Sequence, residues 1–279
     1  MSILETPYQE LAQEASRDLK GDGVSALLKQ VVQLALRFLT KECDRLKLKS
    51  SVPGKEYFSF RVKGKKNKFS RPINSKLFDP GTAVKLIDRL VSAELAGVSQ
   101  AQRGRALYSA AMSYCCATDL LKSDDRKTPA TFFEIFVGHL ASRAFNINPH
   151  KKIDVLALAP GYSLPTDFVF DLGPAKSRIH LPVKISTRER IIQVWAHQRV
   201  LDGVYGINRF RGILVCLTET NMVRKDLSVL EVCLPEQWAI YQMFISQLYR
   251  IYYFDLPVKY APLAKRYPIH SGQQLFRVL

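Results

Sequence analysis

Acidic side chains are scarce in this chain of 279 residues: 25 Asp and Glu stand against 41 Lys and Arg, a formal net charge of +16. That imbalance argues against partners of like sign. It points to a polyanion, because Lys and Arg set along phosphates release condensed counterions. Cysteine is also sparse. Cys43, Cys115, Cys116, Cys216 and Cys233 are odd in number, and no two have the C-x-x-C spacing of a zinc site. They read as reduced core residues. His139, His150, His180, His197 and His270 show no metal-ligand spacing. No apolar stretch approaches the ~18 residues of a membrane span. The opening Met1-Ser2-Ile3-Leu4-Glu5 has no basic segment followed by an apolar run, so no signal peptide is expected and the cytoplasm is the expected compartment. A Walker loop, a dinucleotide-binding glycine pattern, a Ser/His/Asp hydrolase signature, internal repeats and low-complexity segments are all missing. What remains is an ordinary globular apolar content of 47%, enough for a real core.

Two helices are expected over residues 4–48, the second from Val24 to Lys47 with Leu27, Val31, Leu34 and Phe38 at helical spacing. A basic segment follows, in which Lys63, Lys65, Lys66 and Lys68 surround the tip after a short strand, Tyr57 to Val62. It reads either as a solvated loop or as an arm that grips a phosphate backbone, flanked by Phe58, Phe60 and Phe69. Residues 82–97 and 105–122 suggest two further helices. Ser123 to Pro129 reads as a linker, which divides the chain into residues 1–125, mainly helical and carrying the basic arm, and residues 126–279, an α/β part. Thr128 is the expected cap of a helix with Pro129 in its first turn. Short apolar runs then follow at Ile153, Phe168, Ile179, Gly212 and Val229, with a helix from Ser186 to about Leu201 and a long final helix from Pro235 to Tyr253. Helices alternating with such runs describe a mixed sheet flanked by helices.

Asp167 opens one of these runs, and Lys184 lies near the end of the next. Gly173-Pro174-Ala175-Lys176 reads as the turn between them. A symmetric hairpin with its tip between Ala175 and Lys176 sets Asp167 directly opposite Lys184 on one face. Such a pair is either a cross-strand ion pair or a phosphodiester-cleaving centre. An Asp supplies a hard oxygen ligand for Mg2+, and an adjacent Lys can orient a water and stabilise charge developing on a phosphate.

Pro165-Thr166-Asp167, a strand, and then Val183-Lys184 resemble the PD-(D/E)XK nuclease core. The continuation Lys184-Ile185-Ser186-Thr187-Arg188-Glu189-Arg190 resembles the type II restriction endonucleases that read CCGG, and the stretch through Trp195, His197 and Arg199 to Gly203 is most similar to the BsaWI and AgeI branch of that group. The resemblance spans about residues 130–220. It implies a mixed central sheet flanked by helices behind a mainly helical N-terminal part, with Mg2+ as cofactor. Double-stranded DNA is the implied partner and a homodimer, or a higher oligomer, the implied assembly. Asp167 and Lys184 are then catalytic. A glutamate from the preceding helix joins Asp167 at the metal, and Glu134 is the only acid between Thr128 and Ile153. Asp171, four positions along on the same strand face, is a further candidate.

One position departs from the family pattern. The acid expected two residues before the lysine is replaced by Pro182. In the CCGG group that acid moves onto the following helix, which here places it at His197 or Gln198, neither a carboxylate; His197 enters the candidate set on its polar helix face. Arg188, Glu189 and Arg190 form the implied base-reading element. Arg pairs with guanine O6 and N7, and Glu accepts from cytosine amino groups. Ser186 or Thr187 is expected to cap the helix that presents them. A repair or junction-resolving nuclease on the same core, and a non-catalytic basic DNA-binding protein, are the other open readings.

Overall fold

Secondary structure follows the apolar spacing at the front of the chain and departs from it at several ends. The computed structural model describes residues 3–65, 67–122, 125–155 and 162–277, apart from the side chains of 189, 190, 276 and 277. Helices α1 (Glu5–Arg17) and α2 (Asp22–Lys41) lead into β1 (Cys43–Lys47), β2 (Lys49–Ser50), β3 (Tyr57–Val62) and β4 (Ile73–Asn74). Helices α3 (Pro80–Val91), α4 (Gln100–Leu121) and α5 (Lys127–Phe145) come next. Strands β5 (His150–Asp154), β6 (Ser163–Phe170), β7 (Arg178–His180) and β8 (Val183–Lys184) precede a 3-10 turn (Arg188–Ile191) and α6 (Ile192–Tyr205). The rear of the chain holds β9 (Phe210–Thr218), β10 (Thr220–Val223), β11 (Ser228–Glu231), α7 (Pro235–Phe244), β12 (Arg250–Asp255) and β13 (Ile269–Ser271).

The principal sheet is mixed, in the order β13-β12-β9-β7-β6-β5, with β8 also beside β9. Strands β13, β12, β9 and β7 run parallel, while β6 is antiparallel to both β7 and β5. The alternation of β9 and β12 divides their side chains between two cores. Ile213, Val215, Leu217, Tyr252 and Phe254 join one large cluster with α2, α4 and α5, whereas Leu214, Cys216, Ile251 and Tyr253 join Trp195 and Trp238 from α6 and α7. The expected fold class, a mixed sheet flanked by helices, is therefore present. The larger cluster draws Leu28, Met112 and Leu120 from before residue 125 and Phe133, Phe168 and Val215 from after it.

Three expected elements end elsewhere. Helix α2 stops at Lys41 because Cys43–Lys47 pairs antiparallel with β3 instead, with Arg45 lying 4.9 Å from the Phe58 ring centroid. The expected final helix stops at Phe244. Beyond it, Ile251-Tyr252-Tyr253-Phe254 is a β-branched and aromatic run that pairs parallel with β9, a buried central position that favours strand over helix. Helix α5 begins at Lys127, and its opening turn is held by Asp125, whose carboxylate accepts from the Thr128 amide at 2.9 Å. Thr128 is thus the capped residue rather than the cap. Ser123 and Asp124 of the expected linker lie outside the described residues, as does the apolar run beyond Val155.

Two three-stranded sheets flank the principal one, β1-β3-β4 and β10-β11-β2. A buried ionic knot ties them to it. Lys55 Nζ donates to Asp255 Oδ1 at 2.8 Å and to Glu231 Oε1 at 3.3 Å, while Tyr57 and Asn74 donate to the two oxygens of Asp255.

Candidate active site

Asp167 and Lys184 do meet, by a different route from the symmetric hairpin. Strands β6 and β7 pair Val169 with His180 and Phe170 with Ile179, a register that would set Asp167 across from Pro182. Proline has no amide hydrogen, so the β6–β7 ladder ends there. The chain keeps its pairing with β9 on the other side, where β8 continues the β7 register and sets Val183 and Lys184 against Val215 and Cys216. Asp167 Oδ2 fills the gap left in the ladder. It accepts from the Val183 amide at 2.8 Å and from Lys184 Nζ at 2.6 Å. Between His150 and Lys152 the β5–β6 register also shifts, across the β6 segment that contains Asp167. Such bulges re-aim side chains and recur beside active sites. Asp167 and Lys184 remain partly open, with 19% and 35% of their side chains exposed.

Glu134 comes to this pair on α5, which packs along β8. A glycine makes the approach close. Gly138 stands one helical turn after Glu134 on the same face, and a methyl there would lie 2.4 Å from Phe168 Cζ. Phe168 follows Asp167 directly, so the contact that seats the helix also brings Glu134 into the field of Asp167. Burial, then the Asp167 charge, pushes the Glu134 carboxyl up to about 7, against the pull of Lys184 and Lys151. Lys151 of β5 went unnoticed in the sequence; its ammonium lies 5.7 Å from the Phe168 ring centroid.

The donor set suits a hard divalent cation. Burial, and then the Asp167 charge, disfavours the ionised form of Glu134, and a cation held by the two carboxylates would offset both. Among the described residues no group of three or more His, Cys, Asp or Glu could hold a metal. A pair of carboxylates is the kind of protein share that Mg2+ takes, since it keeps several waters and binds one or two carboxylates plus substrate oxygens.

The remaining candidates separate clearly. His197 is half-buried on α6, and burial together with Lys184 lowers its pKa, which favours the neutral imidazole in the field of Asp167 and Lys184. Gln198 is fully engaged: Nε2 donates to Phe210 O at 2.9 Å and to Asp202 Oδ1 at 3.0 Å, and Oε1 faces His180 Nδ1 at 3.3 Å. It therefore cannot serve as the missing ligand. His180 is fully buried, its pKa is brought down to about 4 chiefly by burial, and its ring centroid lies 6.4 Å from that of His197. Asp171 belongs to the turn, accepting from Arg178 Nε at 2.8 Å and from the Gly173 amide at 3.0 Å, and does not join the site.

Ser186 and Thr187 do not cap α6. Both bond the buried carboxylate of Glu219, Thr187 through its amide at 2.9 Å and its hydroxyl, Ser186 through its hydroxyl at 2.8 Å. Glu219 was missed from sequence, although it is the only acid between Asp202 and Asp226 and closes a buried strand. Arg188 opens the 3-10 turn with φ +41°, and its exposed guanidinium reaches Asn221 Oδ1 at 3.4 Å. The side chains of Glu189 and Arg190 lie outside the described residues, as does Lys66. Lys63 and Lys65 are exposed and Lys68 is half-buried. Of the aromatics that flank the arm, Phe58 and Phe60 are buried against Phe78 and Phe69 is half-buried.

The whole chain superposes on 96% of the solved type IIP restriction endonuclease Kpn2I, with a TM-score of 0.83 and 27% sequence identity. A restriction endonuclease PspGI–substrate DNA complex overlaps 68% of this chain and 78% of its own at a TM-score of 0.40 and 13% identity, too distant to carry an argument. No family model matches the chain, and no curated protein matches it. The fold is of the PD-(D/E)XK restriction-endonuclease type.

Proposed function

From that shared fold, we propose that this chain is a type II restriction endonuclease that hydrolyses double-stranded DNA at a palindrome containing CCGG. The observation that carries the reading is the meeting of Asp167, Lys184 and Glu134 immediately ahead of the Arg188–Glu189–Arg190 segment. Glu134 and Asp167 would hold Mg2+. When bound, that ion polarises the phosphodiester and lowers the pKa of an attacking water. Lys184 keeps Asp167 oriented through their 2.6 Å bond and presents its ammonium toward charge developing on the phosphate. His197, favoured in its neutral form by burial and Lys184, can accept or relay a hydrogen bond without adding charge.

Arg188 and Arg190 suit the two guanines of a half-site, and Glu189 suits the cytosine amino groups. A twofold homodimer would join two such half-sites into CCGG. Resemblance to the BsaWI and AgeI branch favours a hexanucleotide with A or T at each end, cut before the first C to leave a 5′ overhang. Lys63, Lys65, Lys66 and Lys68 supply charge for the DNA backbone.

The deciding experiment is digestion of a sequenced plasmid with Mg2+, followed by sequencing of the fragment ends. Discrete ends at one CCGG-containing palindrome are the expected result. Dispersed or structure-directed ends would favour a repair or junction nuclease instead, and binding without nicking a non-catalytic role.

A further inference from the structure

Glu219 has a place in the structure that the catalytic reading leaves unused. It sits between β9 and β10 with 1% of its surface exposed. Its carboxylate accepts from the Ser186 hydroxyl, from the Thr187 amide and hydroxyl, and from the Arg188 amide. Those donors belong to consecutive residues of one loop, the one that carries the chain from Lys184 into the Arg188–Ile191 turn. Burial raises the carboxyl's pKa, and each of these loop groups pulls it back.

The acid is itself clamped. The Thr218 amide donates to Ile185 O at 2.9 Å, and Glu219 O accepts from the Val232 amide at 2.8 Å. The side chain therefore projects from a fixed strand end into that loop. At the far side of that loop Arg188 holds a left-handed φ of +41°, a conformation that a residue with a side chain keeps only when its surroundings impose it. Two residues beyond Glu219, Asn221 Oδ1 accepts from the Arg188 guanidinium at 3.4 Å.

We infer that Glu219 is a positioning residue that sets the Arg188–Glu189–Arg190 segment in register with its target base pairs, governing sequence discrimination without touching DNA. This rests on the proposed endonuclease reading. The physical basis is that base-edge hydrogen bonds tolerate little displacement, so the support beneath a reading residue decides whether a wrong base is rejected.

The test compares the wild-type enzyme with Glu219→Ala, Glu219→Gln and Thr187→Val. For each, kcat/KM is measured with Mg2+ on a CCGG-containing duplex and on duplexes with one core pair changed, and folding is followed by circular dichroism. Glu219→Ala should lower the ratio of cognate to altered-site cleavage by about tenfold or more. Glu219→Gln, which keeps one oxygen acceptor, should restore part of it. Thr187→Val should lower it in the same sense, and it decides the matter if Glu219→Ala does not fold. A selective wild type whose folded variants lose rate equally on both duplexes, or keep the full ratio, would overturn this inference alone. A wild type that cuts without site preference would overturn it together with the proposed function.

Discussion

At the scale of single residues the site is a short list of charges whose values depend on their neighbours. Asp167 and Lys184 share one hydrogen bond, so removing either leaves the other without its partner. Asp167→Ala and Lys184→Ala should each abolish Mg2+-dependent cleavage while leaving a folded protein, as read by plasmid digestion beside circular dichroism; normal cutting by Asp167→Ala would remove it from the catalytic set. Glu134 gives a pH signature. Its folded value of about 7 lies above its ordinary 4.5, so the stability of the protonated form is present below 4.5 and is lost as the pH rises to about 7. In chelator, Glu134→Gln should therefore melt close to wild type at pH 4.5 and above it at pH 8. Equal melting temperatures at both pH values would mean that Glu134 is neither buried as described nor held in the field of Asp167.

The elements bring these residues together through a few specific accommodations. Gly138 lets α5 sit against Phe168, and Gly138→Ala must displace the helix or the ring. Overpacking of this kind costs about 1–3 kcal/mol. It should also lower cleavage by about tenfold or more, because small misplacements near reacting groups are expensive. Thermal melts and single-turnover rates check both halves. The Lys55–Asp255–Glu231 knot works at the end of β12, where Asp255 pairs with Thr218 of β9. Asp255→Ala would leave Lys55, Tyr57 and Asn74 without their shared acceptor, and breaking a buried pair from one side costs ~3–5 kcal/mol. Calorimetry should show a large fall in the melting temperature of Asp255→Ala; a change within the range of surface substitutions would show that the knot is not needed for stability.

At the scale of the whole molecule, the excess of 41 basic over 25 acidic residues makes any DNA binding strongly salt-dependent. Affinity for a CCGG-containing duplex should fall by orders of magnitude between about 50 mM and about 200 mM salt. Sedimentation under the same conditions should give one dimer per duplex. A flat salt response, or a monomer that cuts both strands at a palindrome, would contradict the electrostatic and twofold parts of the proposal. The fit of the whole chain to Kpn2I covers the mainly helical front as well as the sheet, and the larger apolar cluster is continuous across residue 125.

Local pattern by itself determined the outline of this protein: the charge imbalance, the helices whose apolar residues recur on one face, the apolar run of β9, and the pair Asp167 and Lys184 on either side of a turn. Glu134 was named through the resemblance, which implies an acid from that helix, where no other acid competes for the position. These features depend on near neighbours in the chain, which is why spacing reveals them. Tertiary structure decided the rest. Cys43–Lys47 and Arg250–Asp255 became strands because distant partners offered ladders and buried faces, which no local propensity encodes. Pro182 ended the ladder with β6, while the pairing with β9 ran on to Lys184, and left an amide for Asp167 to fill. Gln198 was spent on His180 and Phe210, and Ser186 and Thr187 on Glu219, contacts between segments far apart in sequence. A buried polar group takes whichever partner the fold brings within reach, and only the folded chain settles which partner that is.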